Sequence, residues 1–269
     1  MLKMKKKNNM EEILVIIPLH EFNQSVSTLL TRAINSVPRE MKVLISTTQT
    51  VYNNNLDELT ALIHNLQEER SGEIIISNNN DQSDFCSLVN SGVKLASEWF
   101  TILEFDDEFS PILFNNLTKE MSYKNDVSVF LSLNEIIDYN TNQFVSYGNE
   151  APWASSFSNE IGYIDNDCLQ EYFNFFLTGG IFNVQDWLSI GGLKPSIKVS
   201  FWYEFLLRLT SNDKKVYVIP KVGYKHYINR ENSLYDTYKK SIPQEDVKKW
   251  YDLAKREYQF KEDRQETIK

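Results

Sequence analysis

The chain has 269 residues, of which 42% are hydrophobic and 13% aromatic, so it is long enough to bury a core of domain size. The formal net charge of −9 argues against a broad nucleic-acid-binding face, and no nucleic-acid partner is expected. Two cysteines, Cys86 and Cys168, provide neither a disulfide framework nor a metal quartet, which is typical of a reducing compartment. No apolar run reaches the ~18 residues that span a bilayer. A cytoplasmic protein is expected.

Strands and helices alternate through the first hundred residues. Residues 13–18 form a continuous aliphatic run, typical of a strand covered on both faces, and Pro18 is expected to end it. Ser25 or Ser27 is placed to cap the helix that follows. This alternation predicts an α/β fold, a three-layer α/β/α sandwich with a mainly parallel central sheet. The other elements predicted here are strands at 41–46 and 74–76, a polar loop at 47–55, and helices at 56–66 and 85–97.

Four acidic side chains follow the next apolar strand. The β-rich run 99–103 ends at Glu104, Asp106, Asp107 and Glu108. Because ligands bind outside the carboxyl ends of parallel strands, carboxylates delivered there predict a divalent cation site at the rim of the sheet. Their oxygen atoms suit Mg²⁺ or Mn²⁺, and no cysteine or histidine stands nearby to favour zinc. The alternative is an ordinary acidic turn after a strand.

Polar residues also follow the other predicted strands of this half. His20 follows the first strand, Thr47 the second and Asn78 the third, so all three are expected at the same rim as the acids. No glycine-rich fingerprint follows the first strand, which leaves a dinucleotide site or a phosphate-binding loop of that type unsupported.

The second half of the chain is less regular. Its predicted elements are helices at 111–121, 184–190, 201–209 and 244–269, strands at 127–133 and 216–220, and a polar, aromatic, irregular insertion at about 138–167. The expected organisation is a basic tail at 1–10, one domain at 11–235 with halves at 11–110 and 111–235, and a C-terminal helical extension at 236–269.

Six groups of residues, taken in order, resemble one known family. They are 16–18, 88–96 with Asn90 and Gly92, 103–107, the Gly-Gly steps within 179–193, 203–208, and the late pair His226 and Ser233. Each match is short, but their order and spacing over residues 13–233 are similar to the family-two glycosyltransferases of GT-A fold. Members of that family use a nucleotide-diphosphate sugar and a divalent metal, and they invert the anomeric centre.

The resemblance implies a function and a set of site residues. The implied partners are a nucleotide-diphosphate sugar and a glycan or other hydroxyl acceptor, with Mn²⁺ or Mg²⁺ as cofactor to stabilise the leaving phosphate. The metal ligands would be Asp106, Asp107 and His226, and Glu204 would be the catalytic base. The residues that would bind the nucleotide-sugar are Pro18, His20, Thr47, Asn78, Asn90, Glu104 and Gly180.

The chain departs from the family pattern in three places. Thr47 and Thr48 stand where the family usually has an acidic pair that holds the nucleobase, and Glu104 replaces the first aspartate of the metal motif. Phe201 and Trp202 fall on the Glu-Asp pair that supplies the base. Glu204 lies two residues further on, which is about 200° of rotation around a helix.

These departures leave a second function open. The chain would then be a catalytically inactive GT-A scaffold, serving as a structural or binding component of a larger assembly such as a virion. The 138–167 insertion and the C-terminal helix would be its contact surfaces, and the protein would be located in a virus particle. A nucleotidyltransferase on a similar sheet is a third interpretation, but it lacks the basic glycine-rich loop.

Overall fold

A ten-stranded sheet runs through the described part of the chain, with helices packed on both of its faces. The computed structural model describes residues 12–79, 84–154, 160–231 and 233–266. The expected basic tail at 1–10, part of the insertion (155–159) and the last three residues of the expected C-terminal helix lie outside the described residues. Within those ranges, no helix combines the length and the apolar character that crossing a bilayer requires.

The strand order explains which residues meet at the rim. Along the sheet the order is β3-β2-β1-β4-β9-β6-β10-β5, with β7 paired to β6 and β8 paired to β10. The first four strands of this order are parallel, whereas β9 runs antiparallel to both of its neighbours. The strands are β1 (Ile13–Leu19), β2 (Lys42–Thr48), β3 (Ile74–Asn79), β4 (Trp99–Ile102), β5 (Glu108–Phe109), β6 (Val127–Asp138), β7 (Phe144–Gly148), β8 (Tyr163–Ile164), β9 (Ile181–Asn183) and β10 (Lys215–Ile228).

The helices divide between the two faces, so the protein has two apolar cores. One core packs α1, α2 and α4 against the sheet, and the other packs α3, α5, α6, α7 and α9 against the opposite face. This confirms the predicted α/β/α sandwich. The helices are α1 (Gln24–Asn35), α2 (Gln49–Gln67), α3 (Phe85–Val93), α4 (Leu113–Tyr123), α5 (Asn166–Glu171), α6 (Val184–Ser189), α7 (Phe201–Thr210), α8 (Leu234–Ser241) and α9 (Gln244–Glu266).

Three local predictions in the first half are wrong. Strand β1 continues through Pro18 to Leu19, and its pairing with β4 ends at Ile16, so the missing proline N–H removes no bond of that ladder. The cap of α1 is Asn23 rather than a serine, because its side chain accepts from the Val26 N–H at 3.0 Å. The predicted polar loop 47–55 is mostly helix, since Thr48 caps α2 from the start of that polar run.

Two predictions in the second half were too short or too irregular. The late strand predicted at 216–220 is the fourteen-residue β10, which runs parallel to β6 and accommodates three register shifts. The insertion at 138–167 contains β7, a short 3-10 helix at Ala151–Trp153, β8 and the start of α5. Strand β10 matters most for the site, because its last residues lie beside the acidic turn that follows β4.

Gly179 is a point where the backbone touches an aromatic ring. Its φ is +76°, and a Cβ built there would lie 2.3 Å from the Tyr224 ring. Gly191 offers a comparison, because its φ is also positive (+84°) but the nearest atom to a built Cβ is 3.9 Å away. A side chain at Gly179 therefore meets both backbone strain and a clash, and a side chain at Gly191 meets strain alone.

We expect Gly179→Ala to lower the free energy of unfolding by about 2–5 kcal/mol, the sum of left-handed strain and overpacking. Gly191→Ala is the matched control and should lose only about 1–2 kcal/mol. Urea unfolding of the two variants beside the wild type measures the difference. Equal losses for the two variants would show that the Tyr224 ring moves aside without penalty.

Candidate functional site

The acidic residues form a turn at the carboxyl end of β4. The Asp107 N–H donates to the Glu104 carbonyl at 3.1 Å, which closes the turn, and the Leu103 N–H still bonds the Ile16 carbonyl of β1. The chain then enters β5, which pairs with Tyr224 and Lys225 of β10. The turn is thus held between the centre of the sheet and the last residues of β10.

Asp107 is the acid most tightly held by β10. It is 1% exposed, and its two carboxylate oxygens have separate partners. Oδ2 lies 2.8 Å from His226 Nδ1, and Oδ1 accepts from the Tyr227 backbone N–H at 2.8 Å. Because a buried carboxyl group is stable only when it is hydrogen-bonded or paired, these contacts explain how the turn keeps the Asp107 side chain out of water.

Three side chains of the turn and β10 form a group that could hold a metal ion. Glu104, Asp107 and His226 each offer one ligand atom, and these atoms all lie within 4.8 Å of one another. The Glu104 backbone N–H donates to the Tyr224 hydroxyl at 3.1 Å, which fixes the start of the turn against β10. The family resemblance implies Asp106 in this trio, whereas in the structure the third member is Glu104.

Asp106 points to a different partner. Its Oδ2 accepts from Arg230 Nε at 2.6 Å, and Arg230 Nη1 in turn lies 3.2 Å from Glu21 Oε1. The Asp106 carbonyl accepts from Arg32 Nη2 at 2.5 Å. The guanidinium of Arg230 also lies 5.0 Å from the centre of the Phe105 ring. The two neighbouring aspartates therefore belong to two separate hydrogen-bond networks, Asp107 with His226 and Asp106 with Arg230.

Burial and the close spacing of the acids shift the pKa values of the side chains at this site. Burial raises the pKa of Glu104 to about 8, and the adjacent Asp107 carboxylate adds to that shift. Burial alone would lower the pKa of His226, but the Asp107 carboxylate and its hydrogen bond, helped by Glu104, raise the pKa to about 9. Burial also raises the pKa of Asp107, while the nearby His226 ring and the Tyr227 N–H act in the opposite direction.

His20 lies beside the same networks, whereas the Thr47 hydroxyl is used within the sheet. The His20 ring packs 5.5 Å from the Phe105 ring and its Nε2 lies 3.7 Å from Glu21 Oε1, while burial lowers its pKa. The Thr47 hydroxyl donates to the Leu19 carbonyl at 2.9 Å, so its polar atom bridges β2 and β1.

The other expected nucleotide-sugar residues have varied surroundings. Pro18 is buried in β1 and pairs in register with Ser46, and Asn78 is exposed at the end of β3. The Asn90 carboxamide bonds the Leu193 backbone twice, at 2.7 Å through Nδ2 and at 3.0 Å through Oδ1, so it joins α3 to the segment after α6. Gly180 is buried, and a Cβ there would lie 2.7 Å from the Leu131 side chain.

Glu204 is held in a buried ion-pair network on α7. It is 2% exposed, and both of its oxygens bond Arg208, at 2.9 Å from Nε and Nη2. Lys194 Nζ lies 2.6 Å from Glu204 Oε1. Arg208 also donates to the carbonyls of Ile190 and Gly192. The network therefore anchors the Gly191-Gly192 turn to α7.

Aromatic side chains occupy the two positions at which the family resemblance implies a Glu-Asp pair. Phe201 is buried and its ring centre lies 4.8 Å from that of Trp202. Both rings also contact Phe85 of α3, with ring centres 5.6 Å apart in each case. This aromatic cluster joins α7 to α3.

Arg230, Glu21 and Tyr224 belong to the site but were not predicted from the sequence. Glu21 and Arg230 come soon after the ends of β1 and β10, so their positions next to strand ends were the available signal. That signal required the full length of β10, which was predicted to end at Pro220. A cavity of about 210 Å³ lies elsewhere, at the amino end of β4 between Glu12, Glu98 and Lys124.

The fold is the GT-A-like fold expected from the sequence. S. aureus TarS shares it: residues 1–349 in complex with UDP-GlcNAc align with a TM-score of 0.59 at 13% identity, over 84% of this chain and 61% of that one. The same TarS fragment in complex with UDP gives 0.57 at 13% identity, covering 81% of this chain and 61% of that one.

A further TarS structure gives the same picture over a longer chain. It aligns with a TM-score of 0.57 at 14% identity, over 81% of this chain but only 37% of TarS. The present chain therefore spans between about a third and three fifths of the TarS chains it matches. No family model matches the chain, and no curated protein matches it. At these identities the likeness establishes the fold alone.

We expect Glu204→Ala to lower the free energy of unfolding by about 3–5 kcal/mol, because it leaves the Arg208 guanidinium buried without its carboxylate. Lys194→Gln is the control: Lys194 is 39% exposed at its side chain, so its loss should cost at most about 1 kcal/mol. Urea unfolding measures both values. A Glu204→Ala protein as stable as the Lys194→Gln protein would contradict an anchoring role for the network.

Proposed function

We propose that this protein binds a nucleotide-diphosphate sugar at the carboxyl rim of β4 and transfers the sugar, with inversion, to a hydroxyl acceptor. The observation that carries the proposal is the group formed by Glu104, Asp107 and His226 at the rim of a GT-A-like sheet. The two TarS complexes, with UDP-GlcNAc and with UDP, support a donor of this chemical class.

The donor set of the rim fits a divalent metal. Two carboxylates and one imidazole suit Mn²⁺ better than Mg²⁺, because Mg²⁺ prefers oxygen ligands. Glu104, Asp107 and His226 would hold the ion, and a bound ion would stabilise the negative charge that develops on the leaving diphosphate. The Tyr227 N–H orients Asp107 and the Tyr224 hydroxyl holds the Glu104 backbone, so β10 fixes both acids.

Glu204 is the candidate base that the sequence offers, and its ion-pair network bears on both candidate functions. A base must accept a proton from the acceptor hydroxyl, and Arg208 and Lys194 stabilise the ionised carboxylate of Glu204 instead. Phe201 and Trp202, two to three residues before Glu204 on α7, stand where the family resemblance implies a pair of acids. These two observations favour the second candidate function, a GT-A scaffold that binds without transferring sugar.

Donor binding is tested by isothermal titration with UDP-GlcNAc in Mn²⁺ and in EDTA. We expect the wild type to bind UDP-GlcNAc. Asp107→Asn should bind Mn²⁺ more weakly by more than about tenfold, because it loses a ligand carboxylate. Glu98→Gln is the matched control, since Glu98 is exposed and precedes β4 at its other end. A wild type that binds neither UDP-GlcNAc nor other nucleotide-diphosphate sugars would remove the proposal.

Transfer is tested separately from binding. If Glu204 is the base, Glu204→Gln should keep donor affinity and lose transfer to an acceptor panel by ~10²–10⁴-fold. If the chain is a scaffold, the wild type should bind donor and yield no glycosylated product over the same panel. Mass spectrometry of the acceptors, together with detection of free nucleoside diphosphate, distinguishes these two outcomes.

A further inference from the structure

The two adjacent aspartates of the acidic turn have different kinds of partner. Asp107 faces His226 and the Tyr227 N–H, and it belongs to the group that could hold a metal. Asp106 faces the Arg230 guanidinium at 2.6 Å and does not belong to that group. Because a guanidinium stays protonated at every physiological pH, Asp106 already has a permanent cation as its partner.

Arg230 is fixed on three sides. Nε bonds Asp106, Nη1 lies 3.2 Å from Glu21, and the guanidinium lies 5.0 Å from the Phe105 ring. Its side chain is 12% exposed, so little of its freedom remains to be lost on binding a ligand. Among the described residues, hydrogen bonds reach Nε and Nη1 but not Nη2. The edge that carries Nη2 therefore keeps donors for a ligand.

The position and the chemistry of this edge fit a phosphate. Arg230 follows β10 and its guanidinium reaches the turn after β4, where ligands of open α/β sheets bind. A guanidinium binds phosphate oxygens through parallel N–H donors, which makes arginine the preferred side chain for this purpose. A diphosphate carries more negative charge than one divalent cation neutralises, so a second cation beside the metal group has a use.

We propose that Asp106 and Asp107 have different roles at the rim. Asp107 is a metal ligand, whereas Asp106 anchors Arg230, and Arg230 binds the diphosphate of the donor. Arg230 thus acts as a fixed cation that needs no metal to be in place. Asp106 and Glu21 act as positioning residues for it. This inference rests on the proposed nucleotide-sugar function, and it assigns the diphosphate contact within that site.

The test measures Mn²⁺ binding and diphosphate binding separately in the same set of variants. Manganese affinity is measured by electron paramagnetic resonance without nucleotide, and the affinities for UDP and for inorganic pyrophosphate are measured by calorimetry in EDTA. The variants are Asp106→Asn, Asp107→Asn, Arg230→Gln and Arg230→Lys, with Glu98→Gln as the control. Circular dichroism checks that each variant is folded before it is scored.

The expected result is a crossed pattern. Asp107→Asn should weaken Mn²⁺ binding by more than about tenfold, whereas Asp106→Asn and Arg230→Gln should change it by less than about threefold. In EDTA, Arg230→Gln should weaken UDP and pyrophosphate binding by about ten- to hundredfold. Arg230→Lys should recover part of that loss, and Asp106→Asn should lose a smaller part through misplacement of the guanidinium.

Two results would overturn the inference. One is a loss of Mn²⁺ affinity in Asp106→Asn as large as that in Asp107→Asn, which would make both aspartates metal ligands. The other is unchanged UDP and pyrophosphate affinity in Arg230→Gln, or no binding of either by the wild type. Pyrophosphate binding through Arg230 without any binding of UDP or nucleotide sugars would support the inference while removing the proposed function, so the two failures are distinguishable.

Discussion

The hydrogen bonds between Asp107 and the end of β10 hold the candidate site together. A carboxylate with 1% exposure is stable only because the His226 ring and the Tyr227 N–H bond its two oxygens. These bonds join residues about 120 positions apart, and they place β10 against the turn that follows β4. The acids are therefore presented by two halves of the chain acting together, with Glu104 fixed through the Tyr224 hydroxyl.

In both the acidic turn and helix α7, an arginine pairs with a buried carboxylate, but the two pairs have different consequences. On α7, Arg208 donates to both carboxylate oxygens of Glu204 and also to two backbone carbonyls. All three nitrogens of this guanidinium are therefore hydrogen-bonded within the fold. At the rim, Arg230 bonds Asp106 and Glu21 and keeps one edge free of bonds to the described residues. The first network is suited to anchoring a turn, and the second is suited to receiving an anion.

A GT-A-like fold presents the rim but does not by itself decide what happens there, since one fold supports many functions. In this chain Glu104, Asp107 and His226 lie close enough together to hold a metal ion, whereas Phe201 and Trp202 form an aromatic cluster with Phe85 where the family resemblance implies acids. Binding and transfer are thus separable properties here. They depend on different residues, so a chain can keep the first without the second.

Sequence alone determined the alternation of strands and helices, and hence the sandwich, because apolar runs and helical spacing are local properties. It also placed Glu104 and Asp107 at a strand end and singled out His226. The sequence pattern did not predict the early start of α2, because Thr48, its cap, stands in a polar run typical of a loop. It also placed the end of β10 at Pro220, eight residues too early. Only the tertiary structure decided that Asp107 pairs with His226 while Asp106 pairs with Arg230, 124 residues away, because partner choice depends on the packing of distant strands.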